Sequence, residues 1–158
     1  MKNTFKRSGA ALISLVLLLV LAVSAGAASS QNVGVKFWKE KSDKESMANS
    51  GIDPDRTATL TRQANGTYTL TLPVMQVSKL GVTGYLSGLT IGDVTYDGTL
   101  TGDFNKATAV LTIKNLPASV LTGCDVNKSV LVTCNIQMDL QVLGEINTSA
   151  RMCIWNQK

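Results

Sequence analysis

Histidine is absent from all 158 residues of the chain. That removes the base of Ser-His-Asp and Cys-His catalysis and, with it, the commonest protein ligand of zinc and a common one of haem iron. Carboxylates number 11, but Asp53, Asp55, Asp93, Asp97 and Asp103 sit singly at turn-like positions and form no acid/base pair. Asp53-Pro54-Asp55 reads as a turn leading into a strand. Gly92-Asp93 and Gly102-Asp103 lack the crowded alternate oxygen ligands of a calcium loop, and read as hairpin turns. Three cysteines, Cys124, Cys134 and Cys153, have spacings that match no zinc pattern. Their odd number leaves at least one free or paired with another molecule, and one disulfide or three buried thiols are both open. Dinucleotide, phosphate-loop and CxxC patterns are missing. These absences argue against an enzyme.

The opening residues have a different character. Lys2, Lys6 and Arg7 precede an apolar run from Ala10 to Val23, and small residues follow, with Ala25 and Ala27 forming an A-x-A site. The run is short of the roughly 20 apolar residues of a spanning helix. Residues 1–27 therefore read as a secretory signal, with an uncleaved anchor as the competing reading. Cleavage removes three of the 15 basic residues and none of the 11 acidic ones, leaving 12 against 11, a balance of +1. Neither nucleic acid nor an anionic membrane is then an expected partner. Residues 28–158 are expected to form one secreted domain without a membrane anchor.

Alternation of period two dominates that domain. Val130, Val132, Cys134, Ile136, Met138, Leu140 and Val142 share one parity and polar residues occupy the other, so this segment is a long half-buried strand and the expected structural centre. Gly144 to Asn147 is a turn, with Ser149 to Trp155 as the returning strand. Asn65-Gly66 joins two further alternating runs, the strongest short hairpin signal. Asp97-Gly98 marks another tight turn; Ala109, Leu111 and Ile113 alternate in one more strand, and Val33 to Trp38 form the first. The pattern describes an all-β chain, an immunoglobulin-like antiparallel β-sandwich of seven or eight strands. One short helical turn is expected after the first strand, within Asp43 to Ile52, where Ser, Asp and Asn caps surround Met47 and Gly51 closes.

Two thioethers hold what chemical interest remains. The sulfur of Met47 is a soft ligand able to bind haem iron, and the apolar face bearing Met138 suits a flat macrocycle. The plainer reading is that both methionines fill a core.

Two segments together resemble the NEAT (near iron transporter) domain of Gram-positive surface and secreted proteins. Val35 to Ile52, VKFWKEKSDKESMANSGI, resembles the family's first strand and lip helix, with Ser46-Met47 as its recurring Ser-Met pair. Val130 to Trp155 resembles its last hairpin, and RTATLTRQANGTYTLTLPVM and GVTGYLSGLTIGDV resemble its middle strands. The resemblance implies an immunoglobulin-like sandwich binding haem between lip and hairpin, for iron acquisition from haem or a haemoprotein. Ser46 would bond a propionate, Met47 would reach the iron, and Ile136, Met138 and Leu140 would line the pocket. Haem-binding members carry a YxxxY pair on the last strand, and this chain has no tyrosine after Tyr96. The matching region offers Glu145 and Ser149, and Cys153, of the same parity as Ser149, is the substitute ligand to consider beside Met47. A sandwich that has lost haem and binds another surface protein is the alternative implied by that departure.

Overall fold

The computed structural model describes residues 28–79, 81–138 and 144–157. Their strands are β1 (Ser29–Lys39), β2 (Ala58–Arg62), β3 (Tyr68–Pro73), β4 (Val77–Lys79), β5 (Val82–Ile91), β6 (Val94–Thr101), β7 (Val110–Leu116), β8 (Val130–Met138) and β9 (Glu145–Asn156). Neighbours run β5-β6-β7-β3-β2-β1-β9-β8, and β8 pairs back onto β5. Eight antiparallel strands thus close into a ring, with β4 added to β5 as a short extra strand. The all-β antiparallel architecture is the expected one, and the two layers of the expected sandwich are joined by a continuous hydrogen-bonded ladder. Closure leaves few exposed strand edges.

Residues directly opposed in a ladder share one face of the sheet. Phe37 opposes Met152, Leu70 opposes Ile113 and Leu72 opposes Leu111, and all six are fully buried in one core. Each such side chain contributes roughly 1.5–3 kcal/mol of burial free energy. On β8 the even positions do face inward, but only Val132 and Cys134 are buried; Ile136 and Met138 are half-buried. The structural centre therefore lies lower in the barrel than the alternation implied. Leu140 and Val142 fall outside the described residues, as does the whole segment 1–27.

Two turn assignments change. Asp97 and Gly98 belong to β6, and the chain reverses at Gly92-Asp93. Gly98 is required by crowding, because a Cβ there would overlap the Leu111 side chain and the Ser87 carbonyl. Glu145 to Asn147 belong to β9, paired with Asn135 to Gln137.

A bulge shapes β5. Leu86 opposes Ile136, yet Gly88 opposes Asn135, so Ser87 is the extra residue. Its hydroxyl donates to the Asn135 carbonyl at 3.0 Å. Before the bulge Gly84 and Leu86 lie on the inward parity, and after it Leu89 does, opposite Cys134.

The segment between β1 and β2 folds back across one end of the barrel. β2 pairs with β1 only from Ser29 to Val33, so the later part of that edge needs other partners. Lys39 donates its amide to Lys44 and Ser46 donates to the Phe37 carbonyl. The side chain of Asn49 completes the edge: its Oδ1 accepts from the Phe37 amide at 2.8 Å and its Nδ2 donates to the Phe37 carbonyl at 2.7 Å. Nδ2 also donates to the Ser46 carbonyl, which fixes the start of a 3-10 turn, Met47–Gly51, capped by Ser46. The expected single helical turn is present here, shorter than the loop that holds it. From outside, Arg151 donates to the carbonyls of Lys39 and Ser42 and pairs with Asp43.

Two outcomes test this architecture. Leu111→Ala should lower unfolding free energy by about 2–5 kcal/mol in urea, whereas Ile136→Ala, on a half-buried site, should lose less than half as much. Asn49→Ala should cost about 1–3 kcal/mol and speed hydrogen exchange at the Phe37 amide. Asn49→Asp should not restore protection fully, because a carboxylate cannot donate to the Phe37 and Ser46 carbonyls.

Candidate functional site

At the end of the barrel covered by Met47–Gly51 lies a cleft of about 250 Å³. One wall is the 3-10 turn, contributing Ser46, Met47, Ala48 and Gly51. The opposite walls come from three strands: Val82, Gly84 and Leu86 of β5, Ile136 and Met138 of β8, and Ile146 and Thr148 of β9, with Val77 of β4 at the margin. Most of these groups are apolar, and the mouth of a barrel is a common place for a ligand.

Ladder register explains why these residues meet. Ile136 opposes both Leu86 and Ile146, while Met138 opposes Gly84, so all share the inward face. A Cβ on Gly84 would lie 2.7 Å from the Met138 sulfur and 3.3 Å from the Ile136 side chain. Glycine there leaves room for both. Below the cleft the Cys134 thiol, opposite Thr148, is sealed in the core, and burial pushes its pKa up to about 12. It stays a neutral thiol and behaves as a small apolar side chain.

The structure brings together Ser46, Met47, Ile136 and Met138. Ser46 is half-buried, and its Oγ accepts from the Ala48 amide at 3.3 Å, a cap that leaves its own O–H to act as donor elsewhere. Met47 is 57% exposed at the mouth, so it is no core filler. Leu140 lies outside the described residues.

Cys153 is not in the cleft. It opposes Lys36 on the outward parity of β9, and its sulfur donates to the Asp125 carbonyl at 3.6 Å under the loop that covers that face. This orientation places its sulfur away from Ser46, Met47, Ile136 and Met138. Glu145 and Ser149 share its parity, and neither lines the cleft; the positions of β9 that do so are Ile146 and Thr148.

Sequence reasoning missed the β4 and β5 contributions, because the run from Val77 to Leu86 is short and glycine-interrupted. The even parity of β9, carried inward by Ala150, Met152 and Ile154, held the signal for Ile146 and Thr148. Tyr85 also borders the cleft. It opposes Gln137 on the outward parity, and its ring packs against Phe104 at 5.2 Å, which leaves the thioethers as the soft donors of the lining. Among the described residues no group of three Cys, Asp or Glu side chains could hold a metal ion.

No family model matches the sequence, and no curated protein does. Solved structures do match the fold. One is the NEAT5 domain of IsdX2, a B. anthracis hemophore in complex with heme, and another is a point mutant of that domain, also in complex with heme. Each gives a TM-score of 0.53 at 12% sequence identity, covering 83% of this chain and 98% of the other. At that identity the likeness is one of fold: this chain is an eight-stranded antiparallel β-barrel or sandwich with 3-10 turns, of NEAT-like architecture.

Proposed function

We propose that the protein is a secreted, non-catalytic binding module whose cleft takes the edge of a haem, serving iron acquisition. The observation that carries this reading is the convergence of Ser46 and Met47, on a lip clamped by Asn49, with the apolar pair Ile136 and Met138 in one cleft. The likeness to a haem-bound NEAT domain supports it. Export is supported by the basic and apolar pattern of residues 1–27.

The lining suits an apolar macrocycle better than it suits ferric iron. A hard anionic ligand from β9 is missing, since Ile146 and Thr148 occupy its cleft-facing positions. Thioether sulfur is soft and neutral, and it favours the ferrous state. Met47 would supply that sulfur, Ser46 would donate to a propionate oxygen, and Ile136 and Met138 would exclude water from the ring edge. A volume of about 250 Å³ is below the roughly 300–1,000 Å³ of ordinary ligand pockets, so part of the ring would stay in contact with solvent.

A second reading has its own support. Met47 and Ile146, 57% and 42% exposed, form an apolar mouth that could instead hold an apolar side chain of another surface protein.

Haemin titration under oxidising and reducing conditions tests these readings. Binding should be tighter after reduction, with a Soret shift characteristic of thioether ligation. Met47→Leu keeps apolar volume but removes the donor, so it should abolish that shift and weaken ferrous binding at least tenfold, about 1.4 kcal/mol. Unchanged spectra in both oxidation states would transfer the case to protein binding. Equal binding by Met47→Leu would leave haem in the cleft with another ligand.

A further inference from the structure

Far from the mouth of the barrel, the segment between β7 and β8 runs along the edge of β9 beyond Met152, where β8 has not yet begun. Leu121 forms a parallel bridge with Ile154. The amides of Thr122 and Gly123 both donate to the Ile154 carbonyl, at 3.1 and 2.9 Å, and the Ile154 amide donates to the Thr122 hydroxyl at 3.3 Å. Two residues further on, the Asp125 carbonyl receives the Cys153 thiol at 3.6 Å. Cys124 lies between these contacts. Its neighbour on one side touches Ile154 and its neighbour on the other touches Cys153, so its Cα is within one peptide length, about 3.8 Å, of residues already against that strand.

We propose that Cys124 and Cys153 close an intrachain disulfide, tying this segment to β9. Cys124 is exposed and open to attack by an oxidant, while Cys153 is buried directly beneath the same segment. Cys134 cannot compete, because it sits on the inward parity of β8, on the other side of the sheet wall. Gly123, at φ +80° with nothing within 4 Å of where a Cβ would stand, gives the backbone before Cys124 the freedom to turn its side chain toward the strand. The chemistry needs an oxidant of the disulfide class. The Cys124 thiol loses its proton and attacks one sulfur of that oxidant, releasing a thiol; the Cys153 thiolate then displaces the second thiol from the mixed disulfide. Two protein thiols are oxidised, one external disulfide is reduced to two thiols, and one S–S bond forms within the chain.

The pairing is independent of the cleft and its ligand. Cleavage after Lys114, Lys128 and Arg151 places the three cysteines on separate peptides, so the bridge can be read directly. Protein treated with oxidised glutathione should lose two hydrogens in intact mass and yield one peptide pair joining Cys124 to Cys153. One thiol should remain, that of Cys134, reacting with a thiol reagent only in denaturant. The melting temperature should rise by roughly 10 °C over the reduced protein, and Cys124→Ser, at an exposed position, should remove that rise while melting like the reduced parent. Three results would overturn the proposal: glutathione retained on Cys124 with Cys153 still reduced, a dimer linked through Cys124, or a bridge that includes Cys134.

Discussion

A carboxamide standing in for a strand decides the shape of the cleft. β2 leaves the edge of β1 after Val33, and Asn49 meets the backbone of Phe37 there with one acceptor and one donor, as a neighbouring strand would. The Phe37 carbonyl also accepts from the Ser46 amide, but an unsatisfied half-buried Phe37 amide would cost more than an ordinary hydrogen bond returns, so Asn49 is strongly constrained. Once Asn49 is placed, the turn from Met47 to Gly51 has little freedom. Ser46 caps it, Ala48 and Gly51 are buried beneath it, and the Gly51 carbonyl accepts from the Met75 amide. Arg151 holds the approach to this turn from outside the barrel, reaching Lys39, Ser42 and Asp43. The lip is thereby attached to β1 and β9, the same pair of strands that carries Phe37 and Met152 into the core.

Parity governs the chemistry available inside that frame. The ladder that directs Ile146 and Thr148 of β9 toward the cleft directs Glu145, Ser149 and Cys153 away from it. A strand in a fixed register has no means of presenting both sets. Among the described residues, those that line the cleft offer thioether, hydroxyl and hydrocarbon, with no carboxylate, imidazole or thiolate. Such a set tolerates an uncharged, polarisable group and rejects a hard cation.

The sequence made the architecture readable because alternation survives wherever one face is buried. Val33 to Phe37, Leu70 to Leu72, Leu111 to Ile113 and Val130 to Met138 announced their strands and their inward residues, and Ser46-Met47 announced the lip. Legibility failed for three physical reasons. Glycine was read as a turn at Gly98, where it serves close packing against Leu111. A polar Gly-Glu-Ile-Asn run was read as a turn although solvent-facing strand ends are polar too. Whether an alternating residue faces ligand or core cannot be told from alternation, so Ile136 looked as central as Val132. Asn49 was legible only as a cap of the helical turn, and its part as partner of the Phe37 edge was not, since that role depends on a strand that stops short.

The bulge at Ser87 carries one more implication. Inward residues of β5 are even-numbered on the cleft side of the bulge and odd-numbered on the core side, so the strand is two half-strands of opposite phase joined by one residue. Loss of the Ser87 codon would leave Leu86 opposite Ile136, with Gly88 and Leu89 opposite Asn135 and Cys134, so the ladder would run on with the inward residues still inward, whereas loss of a codon within either half would turn part of the strand inside out. Between Leu86 and Gly88 the chain can therefore shorten by one residue without moving its wall residues to the other face.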